Sequence, residues 1–314
     1  MSTELHPEGT LRSARWQAPA AWCVRRAGLS HLCAKTRGSP RTKIAIIDGS
    51  IETSHPNLKT ARIEILEEYS KGTVGHSPAA AEHATFIASA LAGNGPEVLG
   101  LCPRCPLLSI PAVDDDMLQG KISAAETARR LVGAIKLAVV NGATIIQISL
   151  EFGFGGGREG GWIAEALRAA ACSGVIIILS AGGRTLGSQN PLLWVHGVIP
   201  VTATDRKGVP MYDMRWGVLM AVRGLSAPGA DVPGAVLPEG VRLRSGSSFA
   251  SCFVTATLAL LTDAVPGATP REGAFALLGC AGNRSTSLTS AYPKPLDGDG
   301  TLRMMTQWKG QNNA

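Results

Sequence analysis

The chain has 314 residues, 45% hydrophobic and 17% charged, with a formal net charge of +6. That is enough apolar chain for a full core, in one large domain or two small ones, and it excludes a mostly disordered protein. No run reaches the roughly 18 apolar residues of a membrane span, and the N-terminus lacks the apolar core of a signal peptide, so no membrane and a cytoplasmic setting are expected.

Residues 1–43 hold eight lysines and arginines against two glutamates, a surplus equal to the charge of the whole chain. Residues 1–40 are therefore read as a basic N-terminal extension. It could dock an acidic peptide or nucleic acid, or be a solvated arm kept apart from the core. No zinc-finger, RRM or helix-turn-helix pattern accompanies it, and no nucleic-acid partner is expected. Up to residue 27 there is no clear periodicity. From Gly28, GLSHLCAKTRGSPR has the pattern of a short amphipathic helix stopped by Gly38 and Pro40.

KIAII follows, a short apolar run ending at Asp48-Gly49. Continuous apolar character indicates a strand buried on both faces, as in a parallel sheet. Asp48 then lies at a carboxyl strand end, where open α/β sheets place functional groups; by itself it also reads as a turn aspartate. EHATFIASALAG opens a helix with His83 in its first turn, a place a capping or surface histidine also occupies. Seven cysteines, odd in number and irregular in spacing, do not suggest a disulfide framework. Cys102 and Cys105 form one CxxC with no second pair, so two thiols in a loop are expected rather than zinc. CPLLSIPAV is a further strand. Asp114, Asp115 and Asp116 form an acidic cluster, read as a solvated loop with calcium as the alternative.

Ala124–Asn141 has helical spacing and a good stop at Asn141-Gly142. ATIIQISL is another buried strand. EFGFGGGREGG lacks the Lys-Ser/Thr of a phosphate-binding loop and reads as a flexible loop. Trp162–Ser173 is a helix and GVIIILSAGG a strand, with later strands near 199–204 and 224–232. This alternation predicts an α/β fold, a mostly parallel sheet with helices on both faces. RSGSSFASCFV then runs from a Gly-Ser loop into a small-residue helix, with Ser248 in the first turn. Free backbone N–H groups and the positive dipole end there suit a nucleophilic serine, although an ordinary core helix has the same look. Residues 281–314 are polar and Pro/Gly-rich, a tail packed on or trailing from a domain at 41–280.

Three of these stretches, IAIIDGSIETSHPNL, EHATFIASALAG and RSGSSFASCFVTATLALL, resemble the catalytic blocks of subtilisin-like serine peptidases. They come in that family's order, Asp, His, Ser. GATIIQISL, and GVIIILSAGG with the later LSAPGADV, match two further blocks, so the resemblance covers roughly 41–265. The segment from Gly28 through the first strand, and VLGLCPRCPLLSIPAVDDD, are similar to cyanobactin-maturation proteases. Those enzymes remove leader or follower segments from ribosomally made precursor peptides. The resemblance implies a three-layer subtilisin-like fold and a precursor peptide or protein as partner; no cofactor or metal is expected. It assigns Ser248 as nucleophile, His83 as general base and Asp48 as the carboxylate orienting it. Ser149, Leu150 and Glu151, with Ala181 and Gly182, match the segments flanking the substrate side chain before the cut bond. Glu151 there favours a basic residue. No family-like propeptide is expected.

The sequence also departs from the family. Gly183 stands where an oxyanion-stabilising asparagine is expected, leaving the oxyanion region to Gly183, Ser247 and Asn190 or Arg184. In subtilisin, losing that donor lowers turnover about 10²–10³-fold, against about 10⁶ for losing the nucleophile or base. A slow enzyme is therefore expected, the alternative being a pseudoprotease that binds peptide as a scaffold. Ala84 and Phe86 replace the usual glycine and histidine, and Cys252-Phe253 the usual Pro-His, adding bulk around the site.

Overall fold

The computed structural model describes residues 18–66, 78–95, 97–150, 157–182, 190–212, 217–280 and 293–312. Strand β1 (Ile44–Asp48) is buried along its whole length. Ile44 and Ile46 enter one apolar cluster, while Ala45 and Ile47 enter a second on the opposite face. A period of two produces that division, and a strand covered on both faces has no solvent side for polar residues. The other central strands divide likewise. In β4 (Ile145–Ile148), Ile145 faces the first cluster and Ile146 and Ile148 the second.

The remaining strands are β2 (Ile63–Ile65), β3 (Leu107–Pro111), β5 (Ile176–Ser180), β6 (Val198–Thr204), β7 (Leu225–Pro228), β8 (Val232–Ala235), β9 (Val241–Arg244) and β10 (Lys294–Pro295). Among the described residues, eight of them form one sheet in the order β10-β7-β6-β5-β4-β1-β3-β2. Every neighbouring pair is parallel. Strands β8 and β9 make a separate antiparallel hairpin. From β1 the chain builds one side of the sheet with β2 and β3, then crosses over to build the other from β4 onward. The carboxyl ends of β1 and β4 therefore flank the switch point, where α/β sheets open a crevice.

The helices are α1 (Ala18–Arg26), α2 (Ser30–Lys35), α3 (Pro78–Ala92), α4 (Asp115–Leu118), α5 (Ala124–Val140), α6 (Arg158–Cys172), α7 (Gly217–Arg223), α8 (Ser247–Ala264), α9 (Pro270–Cys280) and α10 (Gly298–Asn312). Residues of α3, α8 and α9 fill the first cluster, and those of α5 and α6 the second. The three-layer α/β expectation is met. Helix α8 is apolar on nearly every side and is 83% buried. It is long and apolar enough to cross a membrane, but here it is the helix around which the first cluster packs.

Several local expectations need correction. Helix α1 precedes Gly28, and Cys23, Val24, Ala27, Leu29 and Leu32 are core residues. The described part of the proposed basic extension is thus built into the domain, and residues 1–17 lie outside the described residues. The surrounding arginines masked a stripe too short to show periodicity. Helix α3 begins at Pro78, a residue suited to the first helical position, so His83 sits in the second turn. Helix α6 begins at Arg158, inside the glycine-rich stretch read as loop. The tail adds β10 to the sheet edge, and Asp299 accepts hydrogen bonds from the backbone N–H groups of His31 and Leu32 at 3.1 and 2.9 Å. The acidic cluster is a solvated loop only in part, since Asp116 is exposed while its neighbours are engaged. Asp114 is buried, caps α4 through Met117 N at 2.8 Å and pairs with Arg130 at 2.7 Å, while Asp115 accepts from Ala80 N in the first turn of α3. Cys102 and Cys105 are buried and hydrogen-bonded to each other. That bond, ahead of burial, holds Cys102 well above the ordinary thiol value, and the same bond draws Cys105 below it.

Candidate active site

Asp48 is the last residue of β1, and its carboxylate is 1% exposed. Burial without partners would be unfavourable for a charge. Oδ1 accepts from Gly49 N at 2.8 Å, and both oxygens lie within 3.0 Å of His83 Nδ1. The histidine comes within reach because α3 packs directly on the end of β1. A Cβ at Gly49 would sit 2.3 Å from the Ala80 carbonyl oxygen, so only glycine allows that approach.

The bond from Asp48 defines the imidazole. With Nδ1 occupied by the carboxylate, Nε2 is the nitrogen left to exchange a proton. Burial alone draws His83 downward, but the charge and hydrogen bond of Asp48 outweigh it and hold His83 above its ordinary value. A raised value favours the imidazolium, the form created when a base has taken a proton.

Ser248 is the second residue of α8 and half-buried, in the turn where N–H groups lack helical acceptors. Its hydroxyl donates to the Ser149 carbonyl at 2.9 Å rather than to His83. Ser149 follows β4, so the resting hydroxyl rests on the end of the sheet. Behind it lies a buried polar cluster. Gln147 Nε2 donates to Ser149 Oγ at 2.9 Å and Ser251 Oγ at 3.0 Å, and its Oε1 has no partner among the described residues. Cys252 lies 3.5 Å from the same nitrogen, and burial pushes its thiol up to about 12, so it is an inert filler in the usual proline's place.

The other sequence candidates fall into two groups. Ser149, Leu150, Ala181 and Gly182 lie at the carboxyl ends of the paired strands β4 and β5. Ser247 Oγ accepts from Ser180 Oγ at 2.7 Å and donates to the Gly182 carbonyl at 3.1 Å. It joins the serine and oxyanion blocks, so its hydroxyl is already engaged. Asn190 is also buried, its Oδ1 accepting from Leu192 N at 3.0 Å as the cap of the 3-10 turn Pro191–Trp194. That capping role, rather than an oxyanion contact, is what its described hydrogen bond supports. Glu151, Gly183 and Arg184 lie outside the described residues.

The bulky departures are absorbed. Phe86 is fully buried, its ring 4.5 Å from that of Phe249, which lies 5.8 Å from the His83 ring. Sequence reasoning missed Gln147, although a lone amide inside the run IIQI was a visible signal. It also missed the ion pair between Glu82 and Arg244, which the sequence separates by 162 positions.

Comparison with known proteins bears on the family. The subtilase family model matches residues 39–305. The thermophilic serine proteinase of Bacillus sp. (strain AK1) is 25% identical over 232 residues, covering 73% of this chain and 54% of that relative. The chain thus spans about half that protein's length. The prenylagaramide maturation protease PagA superposes with a TM-score of 0.70 at 27% identity, over 88% of this chain and 98% of that one. The patellamide maturation protease PatA gives 0.71 at 27% identity, over 86% and 98%. These two neighbours match the cyanobactin branch indicated by the motifs, and the serine protease relatives support a serine endopeptidase. A family match over most of the length, enclosing all three catalytic blocks in their order, means that the chain belongs to the subtilase family.

Proposed function

We propose that this chain is a serine endopeptidase that cuts a ribosomally made precursor peptide, with Ser248, His83 and Asp48 as its catalytic triad. The observation that carries this is the buried Asp48–His83 pair, at 2.9–3.0 Å, set at the same end of the sheet as a helix-start serine. Ser248 first leaves the Ser149 carbonyl for His83 Nε2. Its oxygen then attacks the peptide carbonyl carbon while the hydroxyl proton passes to Nε2. The Ser248 N–H and the positive end of α8 stabilise the negative oxygen. As the C–N bond breaks, His83 returns the proton to the leaving amine. A water deprotonated by His83 then releases the acyl group and restores Ser248.

The names of PagA and PatA, both maturation proteases, support a precursor peptide as substrate. An extended peptide would lie against Ser149-Leu150 and Ala181-Gly182 as an added strand, with Glu151 favouring a basic side chain before the cut. No disulfide links the seven cysteines, which supports a reducing, cytoplasmic setting. Gly183 in the asparagine position favours slow turnover.

A second reading, a peptide-binding pseudoprotease, is favoured by the Ser248 hydroxyl turning to Ser149 instead of His83. Intact-mass labelling with a fluorophosphonate separates the two. Labelling of wild type but not of Ser248→Ala is expected; folded wild type that takes no label while binding peptide supports the scaffold instead.

A further inference from the structure

We propose that the ion pair between Glu82 and Arg244 is a positioning clamp that holds the His83-bearing segment in register with the Ser248-bearing segment. This rests on the peptidase reading above and adds two residues that the triad does not include.

Glu82 immediately precedes His83 on α3, and Arg244 ends β9, four residues before Ser248. Arg244 Nη2 donates to Glu82 Oε1, while Oε2 accepts from Leu237 N at 3.3 Å. The carboxylate is thus held at two points of the β8–β9 hairpin, its connecting loop and the last residue of β9. The Arg244 guanidinium also lies 5.7 Å from the centre of the Phe86 ring. Phe86 in turn packs on Phe249, the residue after the nucleophile, and Phe249 lies against His83. The chain of contacts therefore leaves the histidine segment at Glu82, crosses through Arg244, and returns to His83 through two rings. Room for it is made at β8, where a Cβ on Gly234 would come within 2.5 Å of Phe86.

The pair's role follows from its setting. Its side chains are 31% and 26% exposed, so solvent screening leaves it little weight in overall stability. Its geometric value is larger. Asp48 fixes which nitrogen of His83 faces the nucleophile, but it approaches from β1 and does not tether the serine segment. A planar guanidinium fixes both the carboxylate and the ring beneath it, which an ammonium cannot do. Misplacement of catalytic groups by about 1 Å lowers rates about 10²-fold.

The test compares wild type, Arg244→Met, Arg244→Lys and Glu82→Gln. Peptide cleavage, the fluorophosphonate labelling rate and Tm are measured for each. Each single change is expected to lower kcat and the labelling rate about tenfold or more, with KM within about twofold and Tm little changed. Arg244→Lys, which keeps the charge but not the planar fork, is expected to recover only part of the loss. Single variants that match wild type, or a loss that only tracks the folded fraction, would each overturn the clamp. Should Arg244→Met fail to fold, Arg244→Lys decides: reduced kcat at unchanged Tm supports the clamp, and wild-type kcat removes it. Wild type that takes no label fails the peptidase reading and the clamp together. A labelled wild type with indifferent variants fails the clamp alone.

Discussion

Asp48 and His83 meet through a carboxylate that is 1% exposed and accepts hydrogen bonds from both the imidazole and Gly49 N. Ser248, by contrast, is half-buried, and its hydroxyl is occupied by the Ser149 carbonyl. In the proposed triad the base is oriented by the fold before any substrate arrives, whereas the nucleophile must exchange one partner for another. Gly183 adds to this imbalance from the sequence side. On that proposal the base half is preorganised, and slow turnover would arise in the nucleophile and oxyanion half.

The sharpest way to break this comparison is to remove the groups that both halves need. Ser248→Ala and His83→Ala should each lower kcat about 10⁶-fold in peptide cleavage, with Tm nearly unchanged for the half-exposed serine. Next, Asp48→Asn should lower kcat about 10⁴-fold while Ser248 keeps its place, because the amide stabilises the wrong tautomer. A smaller loss would mean that Asp48 does not orient the base. The nucleophile half is tested in the opposite direction. Gly183→Asn should raise kcat by up to about 10²-fold with KM little changed; no gain would move the limiting defect to the Ser248 rotamer.

Smaller effects sharpen the picture. Gly234→Ala forces a methyl against Phe86 and should reduce stability by about 1–3 kcal/mol in denaturant unfolding. The pH dependence follows from the raised value of His83. Neutral imidazole is the base, so the acid limb of kcat/KM should lie above the ordinary histidine value of about 6.5. Stability should run the other way. The contribution of the Asp48–imidazolium pair is fully present below about 6.5 and is lost as pH rises through the folded value. Activity and this stabilisation therefore trade off across the same window.

Much of the fold was legible in the amino-acid sequence. KIAII, ATIIQISL and GVIIILSAGG carry continuous apolar runs because both of their faces are covered. Asp48, His83 and Ser248 stand out as motif residues because their neighbours have recognisable local signals, a strand end, a helix and a Gly-Ser loop. Less legible was α1, where a nine-residue helix between arginines has too few turns for a period to emerge. The start of α3 was misplaced by four residues because Pro78–Ala81 looks like loop composition and gains its helical partners from β1 and Asp115.

By itself the sequence determined the parallel sheet, its helical layers and the order of the catalytic blocks, since hydrophobic period and turn chemistry are written in neighbouring residues. Only the tertiary structure decided which hydrogen bonds those residues make. Ser248 rests on Ser149, Asn190 caps a turn, Asp114 is buried against Arg130, and Glu82 finds Arg244. Each of those choices is a competition among groups that the fold brings together from distant positions, and linear spacing carries no record of which partner wins.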